Sequence, residues 1–99
     1  MPGVSRRGDS LSTGHICSST TTLTTPTQST VRANGILIAR KTDSTVPHPF
    51  PPVPVCANHV AVVNVGSGTV NVVGLPVARV GDSTDAGAMT SRSSTVFAG

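Results

Sequence analysis

Tryptophan and tyrosine are absent from this chain, phenylalanine occurs twice, and glutamate does not occur at all. Without large aromatics, the apolar positions fall mainly to Val and Ala, and Ser and Thr together number 26 of 99 residues. A chain this short buries a modest share of its surface, and these residues make a poor core. A metal, a disulfide or a partner surface is therefore expected on energetic grounds. Long hydrophobic runs are missing too. No segment approaches the roughly 20 apolar residues of a membrane-spanning helix. Arg6 and Arg7 are not followed by the apolar stretch of a secretory signal. Synthesis in the cytoplasm is expected, where two cysteines are more often metal-bound or free than disulfide-bonded. Charge is sparse: seven Lys or Arg against four Asp, a net charge of +3. The basic residues are scattered and no aromatics interleave them, so nucleic-acid binding is not expected.

What is present is a repeat. The stretch from Thr30 to Thr45 aligns without gaps on the stretch from Thr69 to Thr84, 39 residues later. The chain ends with the opening half of the same unit, Ser93 to Gly99, and begins with its closing half, Val4 to Ser10. Two half-units suggest that the termini meet and complete a third copy. Each unit reads as a β-hairpin, with short β-branched runs such as Val70 to Val73 and Val77 to Val80 punctuated by Gly74 and Gly81. No stretch keeps helical spacing of apolar residues. Pro47, Pro49, Pro51, Pro52 and Pro54 predict an extended, rigid loop without regular structure. An Arg-x-x-Asp step recurs at Arg6 to Asp9, Arg40 to Asp43 and Arg79 to Asp82. Three equivalent copies point to architecture, with each Asp capping its own turn, rather than to one active site.

The candidate chemistry lies in His15, His48, Cys56 and His59, which include every histidine in the chain. Cys56-x-x-His59 is a short chelating pair of the kind found in zinc sites. His15 and His48 follow the Asp of their repeat by six and five residues, so two copies aim an imidazole at the same region. Three imidazoles and a thiolate form a closed set suited to Zn²⁺. Cys17, two residues after His15, competes with Cys56 for the sulfur position, and a Cys17–Cys56 disulfide is a further alternative. A zinc hydrolase is the rival reading, but catalytic zinc keeps an open position and a nearby base, and Glu is absent. There is no Gly-x-Ser-x-Gly elbow and no phosphate loop. An enzyme is not expected.

With these residues in view, the chain resembles PAAR-repeat proteins. The Pro-Ala-Ala-Arg motif stands here as Pro76-Val77-Ala78-Arg79 before Gly81-Asp82, with a divergent copy at Leu37-Ile38-Ala39-Arg40. The copy Val4-Ser5-Arg6-Arg7 keeps only the Arg and the Gly-Asp. Met1-Pro2-Gly3 and the closing Ser94-Thr95-Val96-Phe97-Ala98-Gly99 also look like the family. The resemblance implies an all-β single domain over residues 1–99, a small cone of short hairpins with pseudo-threefold symmetry and no effector extension. It implies a metal at the vertex, zinc or alternatively iron, held by His15, His48, Cys56 and His59. It further implies a trimeric β-helical spike as partner, one tip per trimer, and transient contact with a target cell envelope. The setting would be the baseplate of a contractile phage tail or, alternatively, a type VI secretion tube. Candidate spike contacts are Val31, Ala33, Val70, Val72, Val96 and Phe97.

Overall fold

A computed structural model describes residues 2–51 and 56–99. Among them there is no helix, and ten short strands form five separate antiparallel hairpins. Two hairpins belong to one set: β3 (Arg32–Ala33) with β4 (Ile36–Leu37), and β7 (Asn71–Val72) with β8 (Leu75–Pro76). Each turns through two left-handed residues, Asn34-Gly35 and Val73-Gly74, which suits the twist of a two-residue hairpin. The termini supply the third member of this set. Gly3 bridges Phe97, and the Ala98 amide donates to the Pro2 carbonyl at 3.0 Å. The two half-units read from the sequence therefore do meet.

The three copies are locked by hydrogen bonds that close on themselves. The Ser5 amide donates to Ala78 O at 2.8 Å, Ala78 to Ala39 O at 3.0 Å, and Ala39 back to Ser5 O at 3.0 Å. These three residues are equivalent in the repeat and fully buried. Only small side chains fit where three strands converge this tightly. A second ring follows the same rule: Arg7 to Leu37 O, Lys41 to Pro76 O and Val80 to Gly3 O, at 2.8–2.9 Å. Further along, Leu11 bridges Met89, Leu23 bridges Thr45 and Val63 bridges Thr84. The hydrophobic residues divide accordingly. Val4, Ile38 and Val77 pack with Ala33, Val72 and Ala98, and Leu11, Leu23, Val63 and Met89 pack with Ala39 and Ala78.

A second set of hairpins grows from the far side of these rings, again one per repeat: β1 (Ser10–Ser12) with β2 (Thr20–Thr22), β5 (His48–Phe50) with β6 (Ala57–His59), and β9 (Ser83–Thr84) with β10 (Gly87–Ala88). The order of rings along each repeat thus puts the two hairpin sets at opposite ends, the first set at the end termed the base and the second at the end termed the vertex. The molecule measures 40 × 24 × 20 Å. The strand His48–Phe50 corrects the expectation of an irregular proline loop. A strand in a two-stranded hairpin has only one neighbour, so Pro49 can sit there without breaking a central ladder. Pro52 and Pro54, also read as part of that loop, lie outside the described residues.

The Arg-x-x-Asp steps are structural, as their triplication suggested. The backbone amides of Arg6, Arg40 and Arg79 donate to Oδ2 of Asp9, Asp43 and Asp82 at 2.7–2.8 Å. Arg6 and Arg79 also pair with their Asp side chains, at 3.1 and 2.9 Å. Arg40 keeps its Nε 3.9 Å from Asp43 Oδ2 while its Nη1 donates to the Val72 and Val73 carbonyls at 3.3 and 2.9 Å, tying down a neighbouring hairpin. The residue before each Asp is left-handed: Gly8 at φ 80°, Gly81 at 86° and Thr42 at 80°. A β-branched residue is strained there by about 1 kcal/mol or more relative to Gly. Thr42→Gly is therefore expected to raise the melting temperature by several degrees, as read by differential scanning calorimetry. An unchanged or lower value would contradict this account of the turn.

Candidate metal centre

Each vertex hairpin delivers one part of a compact cluster. His15 stands in the loop between β1 and β2. His48 and His59 are direct cross-strand partners on β5 and β6, which places both side chains on one face. Asp85 opens the two-residue turn between β9 and β10, held at φ 56°, a conformation Asp tolerates better than most residues. The donor atoms of these four residues lie within 4.8 Å of one another. Asp85 Oδ2 is 2.9 Å from His15 Nε2, 2.8 Å from His48 Nε2 and 3.4 Å from His59 Nε2. The side chains of His15, His48 and Asp85 are almost wholly buried, and His59 is the most open of the set. The His15 and His48 rings stack at 5.3 Å, and Phe50 packs against His59 at 4.4 Å and His15 at 4.8 Å.

The hydrogen bonds at the outer ring nitrogens decide what this cluster can hold. His15 Nδ1 lies 2.9 Å from the Ile16 carbonyl and His48 Nδ1 lies 3.0 Å from the Val46 carbonyl. A carbonyl only accepts, so both Nδ1 atoms must donate. That tautomer leaves each Nε2 with a lone pair facing a carboxylate oxygen, unless a cation or further protons intervene. A divalent ion among the four donors resolves the repulsion, and outer-nitrogen bonds to backbone carbonyls are the usual way of orienting metal-binding histidines. Zinc bonds of 2.0–2.2 Å in a tetrahedron imply donor separations of about 3.3 Å. Asp85 Oδ2 lies 2.8–3.4 Å from the three Nε2 atoms, so an ion would require the donors to shift by a few tenths of an ångström or more. With that adjustment, His15, His48, His59 and Asp85 fit a metal ion. Protonation compensates in the absence of metal. The Ile16 carbonyl, aided by Asp85 and opposed by burial, raises the His15 pKa above its usual value. Burial pushes Asp85 upward, but hydrogen bonds from His48 and His15 and the charge on His15 outweigh it and hold the carboxyl below its usual range.

Three of the four residues expected at the metal are brought together here. The fourth, Cys56, is not among these donors: its sulfur is bonded to that of Cys17, with Cα atoms 5.9 Å apart. Asp85 stands in the place assigned to the thiolate. The signal for Asp85 was present but faint. Three of the chain's four Asp residues are absorbed by the Arg-x-x-Asp steps, and Asp85 is the one left over.

Comparison with protein families gives a match to the PAAR motif over residues 13–92, most of the chain. A search among curated proteins gives no match.

Metal binding to such a set competes with protons. Because the Ile16 carbonyl raises the His15 pKa, Nε2 holds its second proton more tightly than in an ordinary histidine, and metal must displace it. Purified protein is expected to carry one divalent ion per chain, measured by mass spectrometry at about pH 7.5, with loading falling steeply towards about pH 5.5. His48→Ala should reduce the content to background. Retention of a full equivalent in that variant would remove the cluster as the binding site.

Proposed function

Since the chain belongs to the PAAR-motif family, we propose that it is a structural tip that caps one trimeric β-helical spike as a single monomer. PAAR proteins in general cap spike trimers of contractile injection systems, and the family is structural rather than enzymatic. The observation that carries the reading is the closed ring through Ser5, Ala39 and Ala78. One chain thereby offers three similar hairpins at its base. A trimer end offers three identical edges, which hairpins can meet by backbone pairing.

The base end carries the apolar surface this requires. Val70 and Phe97 are exposed and Val31 and Val96 are half-buried, whereas Ala33 and Val72 are consumed in the tip's own core. Ile36 and Val73 join the exposed set. Val73 is instructive, being 59% exposed and left-handed at φ 48°. The equivalent position in the first unit is Asn34, which suits that conformation far better. An apolar residue that is both strained and exposed is readily understood as a partner contact.

At the vertex, the reading assigns the ion to His15, His48, His59 and Asp85, with zinc favoured and iron the alternative. Four protein donors leave a tetrahedral ion no open position, which supports a stiffening rather than a catalytic role. Exposed Ile16 and Phe50 beside the cluster would meet the target envelope first. The tip is made in the cytoplasm and carried on the spike of a phage baseplate, or alternatively on a type VI secretion tube.

Light scattering of the tip mixed with a trimeric spike fragment is expected to give one monomer per trimer. Three per trimer, or no association, would contradict capping. A second expectation separates the tip's stability from its binding. Val73→Asn should stabilise the isolated tip by about 1 kcal/mol yet weaken its complex with the spike. Calorimetric melting and binding isotherms check the two halves, and unchanged affinity would remove Val73 from the interface.

A further inference from the structure

The loop that carries His15 and the strand that carries His59 belong to different repeats and to separate two-stranded hairpins. Lower down, the first two vertex hairpins are joined by the bridge between Leu23 and Thr45 and by the Val46 amide donating to Thr22 O at 3.0 Å. Above that level, no hydrogen bond among the described residues connects residues 13–19 to residues 48–51 or 56–59. Beyond the packing of His15 on His48 and Phe50 and the shared Asp85 carboxylate, what joins them is the Cys17–Cys56 bond, the one covalent link between the two segments among the described residues. Cys17 follows His15 by two residues and Cys56 precedes His59 by three. Both cysteines are left-handed, at φ 76° and 42°. Such a conformation is unfavourable for a side-chain-bearing residue and persists where its surroundings over-determine it. A cross-link between two turns supplies that constraint.

We propose that the Cys17–Cys56 disulfide is the positioning device of the metal centre, and that neither sulfur is a ligand. The inference rests on the reading of the vertex cluster as a divalent-metal site. The disulfide holds the His15 loop against the His48–His59 hairpin before an ion arrives. Without it the His15 loop and the His48–His59 strands would have to be brought together at the moment of binding, and that ordering is subtracted from affinity. Asp85 needs no such tether, because its turn spans only two residues and Ala86 is anchored by its amide to Thr13 O at 3.0 Å.

Two side chains that act only through the bond they share behave in a recognisable way. Removing either removes the whole effect, and removing the second adds nothing. The test uses the full-length protein with Zn²⁺ and Co²⁺ as probes, their affinities set by competition with a chromophoric chelator. Cys17→Ser, Cys56→Ser and the double variant are expected to weaken both metals equally, by roughly 10- to 100-fold, the range seen when supports of metal ligands are lost. The Co²⁺ spectrum of the wild type should lack the intense near-ultraviolet sulfur-to-metal band, a readout that does not depend on how well the variants fold. A larger loss for one single variant than for the other would overturn the proposal, as would unchanged affinity in all three. A sulfur-to-cobalt band in the wild type would also overturn it and make a cysteine a ligand. If the wild type bound neither metal, the metal reading itself would fall and this inference with it.

Discussion

Everything in this molecule depends on three strands passing close enough to exchange backbone hydrogen bonds in a closed triangle. The donors and acceptors at Ser5, Ala39 and Ala78 satisfy one another at 2.8–3.0 Å, with nothing larger than a hydroxymethyl group between them. Buried peptide groups must be paired, and here the pairing partner of each repeat is the next repeat. No single unit can satisfy itself. The fold is therefore all-or-none across the three copies, although its two hydrophobic clusters are small. The ring also explains the composition. Bulky aromatics have no place along such an axis, and the Val and Ala content fills the thin layers on either side. Ser5, standing where the other copies have Ala, leaves its Oγ without a partner, so the ring tolerates a polar intruder only at some expense in stability.

Much of this was legible in the sequence because repetition is a periodic signal. The gapless alignment of Thr30–Thr45 on Thr69–Thr84, with half-units at both ends, carried the hairpin units and the pseudo-threefold plan. The recurrent Arg-x-x-Asp step carried its own structural role. The vertex was less legible, because there the repeats diverge. His15 and His48 could be placed by their offset from an Asp. Asp85 could not, since its repeat carries no histidine at that offset and its turn is shorter. Pairing of His48 with His59 was hidden by the prolines around them, which argue against a strand until the strand is seen to have only one neighbour. A sulfur bond between Cys17 and Cys56 ranks low from the sequence, because the cytoplasm expected for its synthesis is reducing.

Strain follows the same division. Positive φ at Asn34-Gly35 and Val73-Gly74 is the ordinary requirement of tight hairpins at the base. At the vertex it falls on Gly14 and also on Cys17, Cys56 and Asp85, which are not glycine. Side chains are kept at positions where the backbone would prefer none. Each of the three is engaged by its side chain, the cysteines with each other and Asp85 with three imidazoles. The chemistry of the side chain offsets the conformational penalty, and the cluster stands where neither hydrophobic cluster extends.

A single chain with threefold pseudosymmetry differs from a true homotrimer in what its two ends can do. At the base, equivalence is useful, and the repeats there are alike in backbone: the Val4–Val96, Ile38–Val31 and Val77–Val70 hydrogen bonds measure 3.0, 3.1 and 3.1 Å. At the vertex, equivalence would be a handicap. A homotrimer presents every donor three times, so distinct residues accumulate in threes around the axis. Here one repeat contributes His15, the next His48 and His59, and the third Asp85, a division of one, two and one. Four donors of two chemical kinds around one point require that the repeats differ, while three matching hairpins require that they agree. Joining the repeats in one chain allows the backbone to keep the symmetry that a trimeric partner would demand, while the vertex side chains depart from it.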